Sequence, residues 1–214
     1  MLFNLSDQNS VANQFIADLR DKVVQKDRLK FRKNIERLGQ IMAYEISKKL
    51  SYRQTWIETP LAKTSAQITD KKPVLISVMR AGLPYFQGFL DFFDQSDCGF
   101  VGAYRKEGGT EIEIQLEYLA TPSIDDRDVI LIDPMLATGK SFMRSVDAML
   151  KHGTPSHIYI ASLIATPEGI DYLKESLTLP YSVWTCALDQ KLNDQFYIVP
   201  GLGDAGDLSF GQKI

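Results

Sequence analysis

The sequence predicts an α/β protein in which helices flank a central, mainly parallel sheet. From Pro73 onward, continuous apolar runs end in turns rich in Gly or Pro, and each turn leads into a segment with helical spacing. Runs that are apolar at every position are typical of parallel strands buried on both faces. The chain has 214 residues, 44% of them hydrophobic, so it can bury a sizeable core. We therefore expect a single domain over residues 1–214.

The N-terminal part of the chain, residues 1–50, has a different pattern. Charged residues are interspersed there with apolar residues at helical spacing. This pattern predicts two amphipathic helices between Asn9 and Leu50, and we interpret their apolar positions as packing surface. Those positions are Val11, Phe15, Leu19, Val23, Leu29, Ile35, Leu38, Ile41, Met42 and Tyr44.

Three strand and helix pairs, followed by one more strand, make up most of the predicted sheet. The runs “PVLISVMRAG”, “DVILID” and “HIYIASLIAT” precede the helical stretches “LPYFQGFLDFF”, “KSFMRSVDAMLKHG” and “PEGIDYLKESL”, and “YSVWTCALD” comes last. In sheets of this kind, ligands bind in the loops that leave the carboxyl ends of the strands. We therefore expect functional residues directly after each run.

The residues at these strand ends suit an anionic ligand. Arg80 follows “VLISVM”, Arg105 follows “CGFVGAY”, and Asp133 follows “VILI” just before “ATGKS”. Because parallel strands bring their carboxyl ends to the same edge of the sheet, these side chains should converge. The strand ends thus predict one site that holds cations, a carboxylate and main-chain amides.

The stretch “ATGKS” has the features of a phosphate site. Gly139 permits a backbone conformation in which successive N–H groups converge, Thr138 and Ser141 add hydroxyl donors, and a helix N-terminus follows. A phosphate monoester fits such a nest. The alternative is an ordinary helix N-cap formed by Thr or Ser, and the four letters alone do not separate the two.

A nucleoside triphosphate loop is disfavoured at this place. The Walker A pattern requires a glycine five residues before Gly139, and this chain has Pro134 there. Proline has a fixed φ and no N–H to donate, so it cannot replace that glycine. A P-loop kinase that acts on uridine is therefore a weak alternative.

Composition excludes several other classes of protein. The formal net charge of −3 gives no overall attraction to nucleic acid or to an anionic membrane. Cys98 and Cys186 are far apart, which argues against a disulfide framework and a zinc site, and His152 and His157 are assigned surface or capping roles. The sequence contains no secretory leader pattern and no apolar stretch of membrane-spanning length, so we expect a cytoplasmic protein without nucleic-acid or membrane partners.

Five stretches together resemble one family. “DPMLATGKS” (Asp133–Ser141, hereafter the phosphate loop) resembles the phosphoribosyl pyrophosphate loop of type I phosphoribosyltransferases, in the Asp-Pro form of the uracil phosphoribosyltransferase family. “VMRAGL” (Val78–Leu83) and “AYR” (Ala103–Arg105) resemble its diphosphate-binding arginine loops, and “FRKNIERLGQIMAYE” (Phe31–Glu45) its N-terminal helix. “YIVPGLGDAGDLSFG” (Tyr197–Gly211, hereafter the C-terminal loop) resembles its uracil-binding segment.

The resemblance implies a type I phosphoribosyltransferase fold and the formation of UMP and diphosphate from uracil and phosphoribosyl pyrophosphate. It implies Mg²⁺ as cofactor, held mainly by substrate oxygens and water with few protein carboxylates. Arg80, Arg105, Asp133 and Asp204 are the implied catalytic residues. The implied residues for phosphoribosyl pyrophosphate are Arg80, Arg105, Asp133, Pro134, Met135, Leu136, Ala137, Thr138, Gly139, Lys140, Ser141 and Asp204. Those for uracil are Ile198, Gly203, Asp204 and Ala205, mainly through their main chain.

The sequence also departs from the family pattern. Lys140 stands where the family usually has a second glycine, which makes the backbone less permissive. In residues 106–122 the alternation of Ile112, Ile114, Leu116 and Tyr118 with polar residues predicts a two-faced strand, one arm of a β-hairpin for subunit contact. We expect a homodimer or a higher homo-oligomer, with residues 197–214 as the uracil-binding loop and tail.

Two alternatives to a uracil-specific enzyme remain at this point. One is a pyrimidine-sensing regulator of the same fold that binds RNA and has little catalysis, although the negative net charge gives it no support. The other is a transferase for a different nucleobase, because the choice of uracil depends on “PGLGDAGD” and on the family resemblance.

Overall fold

The computed structural model describes residues 1–106 and 113–212, and the side chains of residues 1–102 and 118–212. The strands are β1 (Leu2–Asn4), β2 (Tyr52–Glu58), β3 (Lys63–Thr69), β4 (Val74–Met79), β5 (Cys98–Lys106), β6 (Glu113–Ala120), β7 (Asp128–Ile132), β8 (Met135–Leu136), β9 (His157–Ala165), β10 (Tyr181–Leu188), β11 (Lys191–Leu192) and β12 (Ile198–Val199). The α-helices are α1 (Ala12–Arg20), α2 (Arg28–Ser47), α3 (Leu83–Phe92), α4 (Lys140–Met149), α5 (Pro167–Ser176) and α6 (Ala205–Phe210). Short 3-10 helices occupy Leu5–Asp7, Val24–Lys26 and Leu150–His152.

The main sheet has the strand order β1-β10-β9-β7-β4-β5-β6, and β8 pairs with the end of β9. All of its pairings are parallel except β5 with β6, which is antiparallel at one edge. The prediction of a mainly parallel α/β sheet is therefore confirmed. The three predicted strand and helix pairs are β4 with α3, β7 with α4, and β9 with α5, and the last predicted strand is β10.

Both faces of the sheet are covered, which explains the continuous apolar runs. Along β7, Ile130 and Ile132 pack on the side of α1, α2 and α3, whereas Val129 and Leu131 pack on the side of α4 and α5. All four side chains are completely buried. In β4, β7, β9 and β10 the buried polar side chains are small hydroxyl groups, among them Ser77, Ser162 and Thr185, and charged side chains occur only at the strand ends.

The two helices expected between Asn9 and Leu50 are α1 and α2. Asp27 caps α2 by accepting a hydrogen bond from the Lys30 N–H. Helical spacing identified buried positions such as Leu19, Ile35 and Leu38 correctly. It was wrong for four others, because the side chains of Val11, Val23, Leu29 and Tyr44 are exposed in the single chain.

Several strands have no counterpart in the predicted pattern. β2 and β3 form a separate antiparallel hairpin that exposes Trp56, and β1 adds a parallel strand beside β10. The two-faced strand predicted in residues 106–122 corresponds to β6, which pairs with β5, whereas Ile112 lies outside the described residues. Of the helices in the described part of the chain, none has the length and apolar character needed to cross a membrane.

Candidate active site

The loops after β4 and β7 lie side by side at the carboxyl edge of the sheet. These two strands pair in parallel, with Ser77 opposite Ile132, so Arg80 and Asp133 follow adjacent strands. The loops are also in close contact, since a Cβ atom at Gly82 would lie 3.0 Å from the Ile132 carbonyl oxygen. The structure therefore brings together the first two groups that the sequence assigned to the site.

Asp133 occupies the end of β7 and is only 8% exposed. Its N–H donates to the Ala161 carbonyl oxygen at 3.1 Å, and its Oδ1 accepts a hydrogen bond from the Met135 N–H at 3.2 Å. The carboxylate thus has a fixed direction at the start of the phosphate loop.

The middle of the phosphate loop is tied to the sheet, which the sequence did not predict. The Pro134 carbonyl accepts from the N–H groups of Leu163 and Ile164, and Met135 and Leu136 form β8 beside β9. The Leu136 side chain is completely buried in the core, and Ala137 is almost as buried. These residues therefore offer a ligand little side chain, and Pro134, which has no N–H and a carbonyl that accepts two hydrogen bonds, acts by fixing the loop to β9.

The end of the phosphate loop has the geometry of an anion nest. Gly139 has a φ of 77°, in the left-handed region that favours glycine, and α4 begins at the next residue without a side-chain cap. The N-cap alternative for Thr138 and Ser141 is therefore wrong. The amides of the first turn of α4 and the positive end of its dipole face the loop.

Lys140 is the first residue of α4 and has a helical backbone. This position does not require the conformational freedom of glycine, so lysine at the place of the family's second glycine introduces no backbone strain. Its charge lies next to the nest formed by the helix N-terminus.

Helix α5 supports the phosphate loop from behind. The Thr166 hydroxyl donates to the Ala137 carbonyl at 2.7 Å and accepts from the Gly169 N–H at 3.1 Å. A Cβ atom at Gly169 would lie 2.3 Å from the Ala137 carbonyl oxygen, and one at Gly139 would lie 2.8 Å from the Gly169 carbonyl oxygen. Sequence reasoning missed Thr166 and Gly169, although Thr-Pro at a helix start is a recognisable cap signal.

Arg80 connects the β4 loop to the C-terminal loop. Its Nη2 is 3.3 Å from Asp207 Oδ1 and 3.4 Å from the Gly211 carbonyl oxygen. Its Nε is buried and has no hydrogen-bond partner among the described residues. The Arg80 side chain is 39% exposed, so the accessible part of its guanidinium group can also meet an anion at this edge.

The sequence predicted Arg105 directly after a strand, but the structure places it within β5. β5 continues to Lys106, so Arg105 lies within the strand and is paired with Ile114 of β6. The Arg105 side chain lies outside the described residues, and its approach to the site stays a prediction.

The C-terminal loop folds as a sequence of tight turns around short elements. Ile198 lies in β12 and is buried, Gly201 and Gly203 have φ values of 60° and 93°, and α6 begins at Ala205. Asp204 caps α6, because its Oδ1 accepts from the Asp207 N–H at 2.9 Å. The Asp204 side chain nevertheless stays exposed at this edge of the sheet.

The described residues contain no obvious nucleophile or metal cage. These residues contain no group of three or more His, Cys, Asp or Glu side chains that could hold a metal ion. Burial raises the pKa of Cys186 to about 12, so this thiol is not reactive at neutral pH. His157, predicted at the surface, is half-buried at the opposite edge of the sheet, where its Nε2 is 3.0 Å from the Ser182 hydroxyl.

Solved structures show the same fold. A structure of an Aquifex aeolicus protein aligns over 100% of both chains with a TM-score of 0.89 and 27% identity. A hypoxanthine phosphoribosyltransferase from Staphylococcus aureus aligns over 75% of this chain and 76% of its own, with a TM-score of 0.50 and 16% identity, which supports the fold alone. The architecture is that of the type I phosphoribosyltransferases.

Sequence comparisons identify the branch of this class. A sequence model of the uracil phosphoribosyltransferase family matches residues 6–212. Uracil phosphoribosyltransferase from Porphyromonas gingivalis is 44% identical over 214 residues, covering 100% of this chain and 99% of the relative. The enzyme of that name from Pyrococcus furiosus is 36% identical over 204 residues, with 94% and 86% covered. The chain belongs to the uracil phosphoribosyltransferase family.

Proposed function

We propose that the protein transfers the phosphoribosyl group of phosphoribosyl pyrophosphate to uracil, giving UMP and diphosphate. The observation that carries this proposal is the placement of an anion nest, a fixed carboxylate and a glycine-rich loop at one edge of the sheet in a chain that matches the family along its length. Each feature suits one part of the two substrates.

The phosphate loop binds the 5′-phosphate in this proposal. The left-handed Gly139 and the uncapped first turn of α4 supply N–H donors, and Thr138, Lys140 and Ser141 add hydroxyl groups and a charge. Pro134, Met135, Leu136 and Ala137 set the path of the loop, which β9 and α5 hold in place.

Asp133 binds the ribose hydroxyls. A carboxylate accepts two hydrogen bonds from vicinal hydroxyl groups, and its orientation at the end of β7 directs it along the loop that holds the phosphate. This arrangement fixes the ribose C1 relative to the base, which accounts for part of the rate enhancement.

Arg80 and Arg105 stabilise the diphosphate. Their planar guanidinium groups match phosphate oxygens, and the Arg80 side chain is 39% exposed. Proteins of this family generally require Mg²⁺, which would neutralise charge on the diphosphate oxygens when bound. Asp133 and Asp204 are too few carboxylates to hold it alone, so substrate oxygens and water would complete its ligands.

The C-terminal loop reads uracil through its main chain. A Cβ atom at Gly203 would lie 3.6 Å from Leu208 Cδ1, an ordinary contact distance, and the positive φ values of Gly201 and Gly203 turn backbone groups in directions that a strand or helix does not allow. The residues of this loop that would contact uracil are Ile198, Gly203, Asp204 and Ala205. Alternating donors and acceptors of the main chain suit the edge of a pyrimidine.

The chemical step develops charge on both sides of the broken bond. Uracil N1 bonds to C1 and loses its proton, while the bond between C1 and the diphosphate oxygen breaks and its electron pair leaves with the diphosphate. Positive charge grows on the ribose ring and negative charge on the leaving group, so the arginines act most strongly in the transition state. We assign no side chain as general base for the N1 proton.

We also propose a homodimer or a higher homo-oligomer, with the arm at residues 106–122 as a subunit contact. Size-exclusion chromatography with light scattering would measure the mass directly.

Incubation with labelled uracil, phosphoribosyl pyrophosphate and Mg²⁺ tests the proposed reaction. We expect stoichiometric UMP and diphosphate, and no product with adenine, guanine or orotate. Product formed from another base would show that uracil is not the substrate, or not the only one. A salt-sensitive mobility shift with pyrimidine-operon leader RNA, without UMP formation, would favour the regulator instead.

A further inference from the structure

The C-terminal loop is anchored by a residue of the N-terminal helices. Arg20, at the end of α1, forms a two-point ion pair with Asp189, with Nη1–Oδ2 and Nη2–Oδ1 distances of 2.8 and 2.7 Å. Arg20 Nη1 also donates to the Gly201 carbonyl at 3.1 Å, while the Gly201 N–H donates to Asp189 Oδ2 at 2.8 Å. The pair therefore satisfies both main-chain groups of Gly201.

Gly201 is a point at which the loop cannot adjust. It has a φ of 60°, and a Cβ atom there would lie 2.1 Å from the Ile198 carbonyl oxygen. Its position between Ile198 and Gly203 means that fixing its peptide groups also fixes the direction of the residues on either side.

Two further donors from the same part of the chain extend this anchor. The Gln25 amide, with its oxygen and nitrogen oriented as the neighbouring carbonyls require, donates to the Leu202 carbonyl at 2.8 Å. Arg32 of α2 donates to the Ser209 carbonyl at 2.8 Å. Three donors from residues 20–32 thus bind three carbonyls of the C-terminal loop, those of Gly201, Leu202 and Ser209.

We infer that Arg20, acting with Asp189, is a positioning residue for base binding: it holds the C-terminal loop in the conformation that presents its main chain to the base. This inference depends on the proposed function for the identity of the base. Arg20 needs no contact with either substrate, because its effect passes through the peptide groups of Gly201. Asp189 is only 5% exposed and follows β10, so the anchor is connected rigidly to the sheet.

The test separates the two substrates. In Arg20→Ala the KM for uracil should rise about tenfold, the change expected from losing one charge-assisted hydrogen bond, while the KM for phosphoribosyl pyrophosphate stays within about twofold. Arg20→Lys should have an intermediate KM for uracil, because an ammonium group keeps the charge but cannot reproduce the two-point geometry.

Arg127→Ala is the matched control. Arg127 also pairs with an aspartate, Asp97 at 2.5 Å, and donates to a backbone carbonyl, that of Lys72 at 3.1 Å. Its side chain is 26% exposed, against 23% for Arg20. Loss of this pair, at the opposite edge of the sheet, should leave both KM values unchanged. Equal effects of Arg20→Ala and Arg127→Ala on the uracil KM would overturn the inference.

Hydrogen exchange measures the loop without catalysis. Amides in residues 201–206 should exchange about tenfold faster in Arg20→Ala than in the wild type or in Arg127→Ala. Unchanged exchange would contradict the anchoring role, whether or not the enzyme makes UMP. Wild-type protein that makes no UMP while the exchange rates change as expected would instead contradict the proposed function alone. If Arg20→Ala does not fold, Arg20→Lys and Asp189→Asn carry the same measurements.

Discussion

The phosphate loop and the C-terminal loop are supported by parts of the chain at very different distances in sequence. The side-chain bond that holds the phosphate loop comes from Thr166, 29 residues from its partner Ala137. The bonds from Arg20 and Arg32 to the C-terminal loop span 181 and 177 residues. The first loop is thus completed by the next strand and helix, whereas the second forms only when the two ends of the chain have folded together.

This difference separates two kinds of recognition. A phosphate is held by a local turn and a helix N-terminus, which any strand–turn–helix unit can supply. A base edge needs several backbone groups at fixed angles, and here those angles depend on long-range contacts. Substitutions in or behind each loop should therefore impair different substrates, and we order the expected effects from the largest to the smallest.

Arg80→Ala tests the group between the two loops. We expect turnover to fall about 100- to 1000-fold, because the arginine acts on charge that develops in the transition state. Unfolding temperature should change little, since the Asp207 contact is long and partly exposed. Steady-state kinetics and thermal melts measure both, with Arg53→Ala on the β2–β3 hairpin as control. We predict the same separation for Arg105→Ala, and equal activity in that variant would remove Arg105 from the site.

Gly169→Ala should disturb the phosphate loop without touching a ligand. The new methyl group would collide with the Ala137 carbonyl, so the loop must move. We expect the KM for phosphoribosyl pyrophosphate to rise about thirtyfold, corresponding to roughly 2 kcal/mol, with a smaller effect on uracil. Glu168→Ala, an exposed neighbour on α5, is the control. Equal changes for both substrates would show that the two loops are not independent.

Gly203→Ala should impair the binding of uracil more than that of phosphoribosyl pyrophosphate, the reverse of Gly169→Ala. A Cβ atom at Gly203 would make only an ordinary contact with Leu208, so the cost comes from placing alanine at a φ of 93° and is roughly 1–2 kcal/mol. The KM for uracil should rise about tenfold, and the KM for phosphoribosyl pyrophosphate should stay unchanged. Comparison with Gly169→Ala in the same assay provides the control, and a reversed preference would disprove the assignment of the loops.

His157 should make the stability of the protein depend on pH without affecting either loop. Burial lowers its pKa below the ordinary value of 6.5, although Asp128 opposes this shift. The unfolded chain therefore binds more protons than the folded one, and stability should fall as the pH is lowered from about 7 through the depressed pKa. In His157→Asn this loss should be smaller, by less than about 1 kcal/mol because the group is only half-buried.

Chemical unfolding at several pH values measures the difference, with Lys151→Ala in the turn before β9 as control. Identical slopes in the wild type and His157→Asn would rule out the histidine as the source. Kinetic constants at neutral pH should be the same in both proteins, because His157 lies at the edge opposite the site.

The sheet and the phosphate loop could be predicted because both depend on patterns of residues that lie close together in the sequence. The short, mostly apolar runs that end at Met79 and Ile132, each followed shortly by Gly or Pro, favour strands with two buried faces, and Gly139 favours a left-handed turn before a helix. β8 was missed, since two residues of strand carry no periodicity. The β2–β3 hairpin was also missed, because its alternation is weak and most of its side chains are exposed.

The supports of the C-terminal loop could not be predicted in this way. Arg20 and Gln25 look like ordinary charged and polar residues of an amphipathic segment, and their partners lie more than 160 residues away. Asp189 directly follows a strand, yet it binds Arg20 and Gly201 rather than lying free for a ligand. A rule based on strand ends cannot tell a ligand-binding carboxylate from one that holds the protein together.

The interlocking of Gly139 with Gly169 limits how the phosphate loop could be transplanted. The Gly169 backbone occupies the space of a side chain at Gly139, and the Ala137 backbone occupies the space of a side chain at Gly169, so the phosphate loop and the start of α5 fit together as one unit. A protein engineer who grafts only Asp133–Ser141 onto another strand and helix would move half of that unit. The graft would also need the Thr-Pro-Glu-Gly turn that opens α5, set beside it at the same depth.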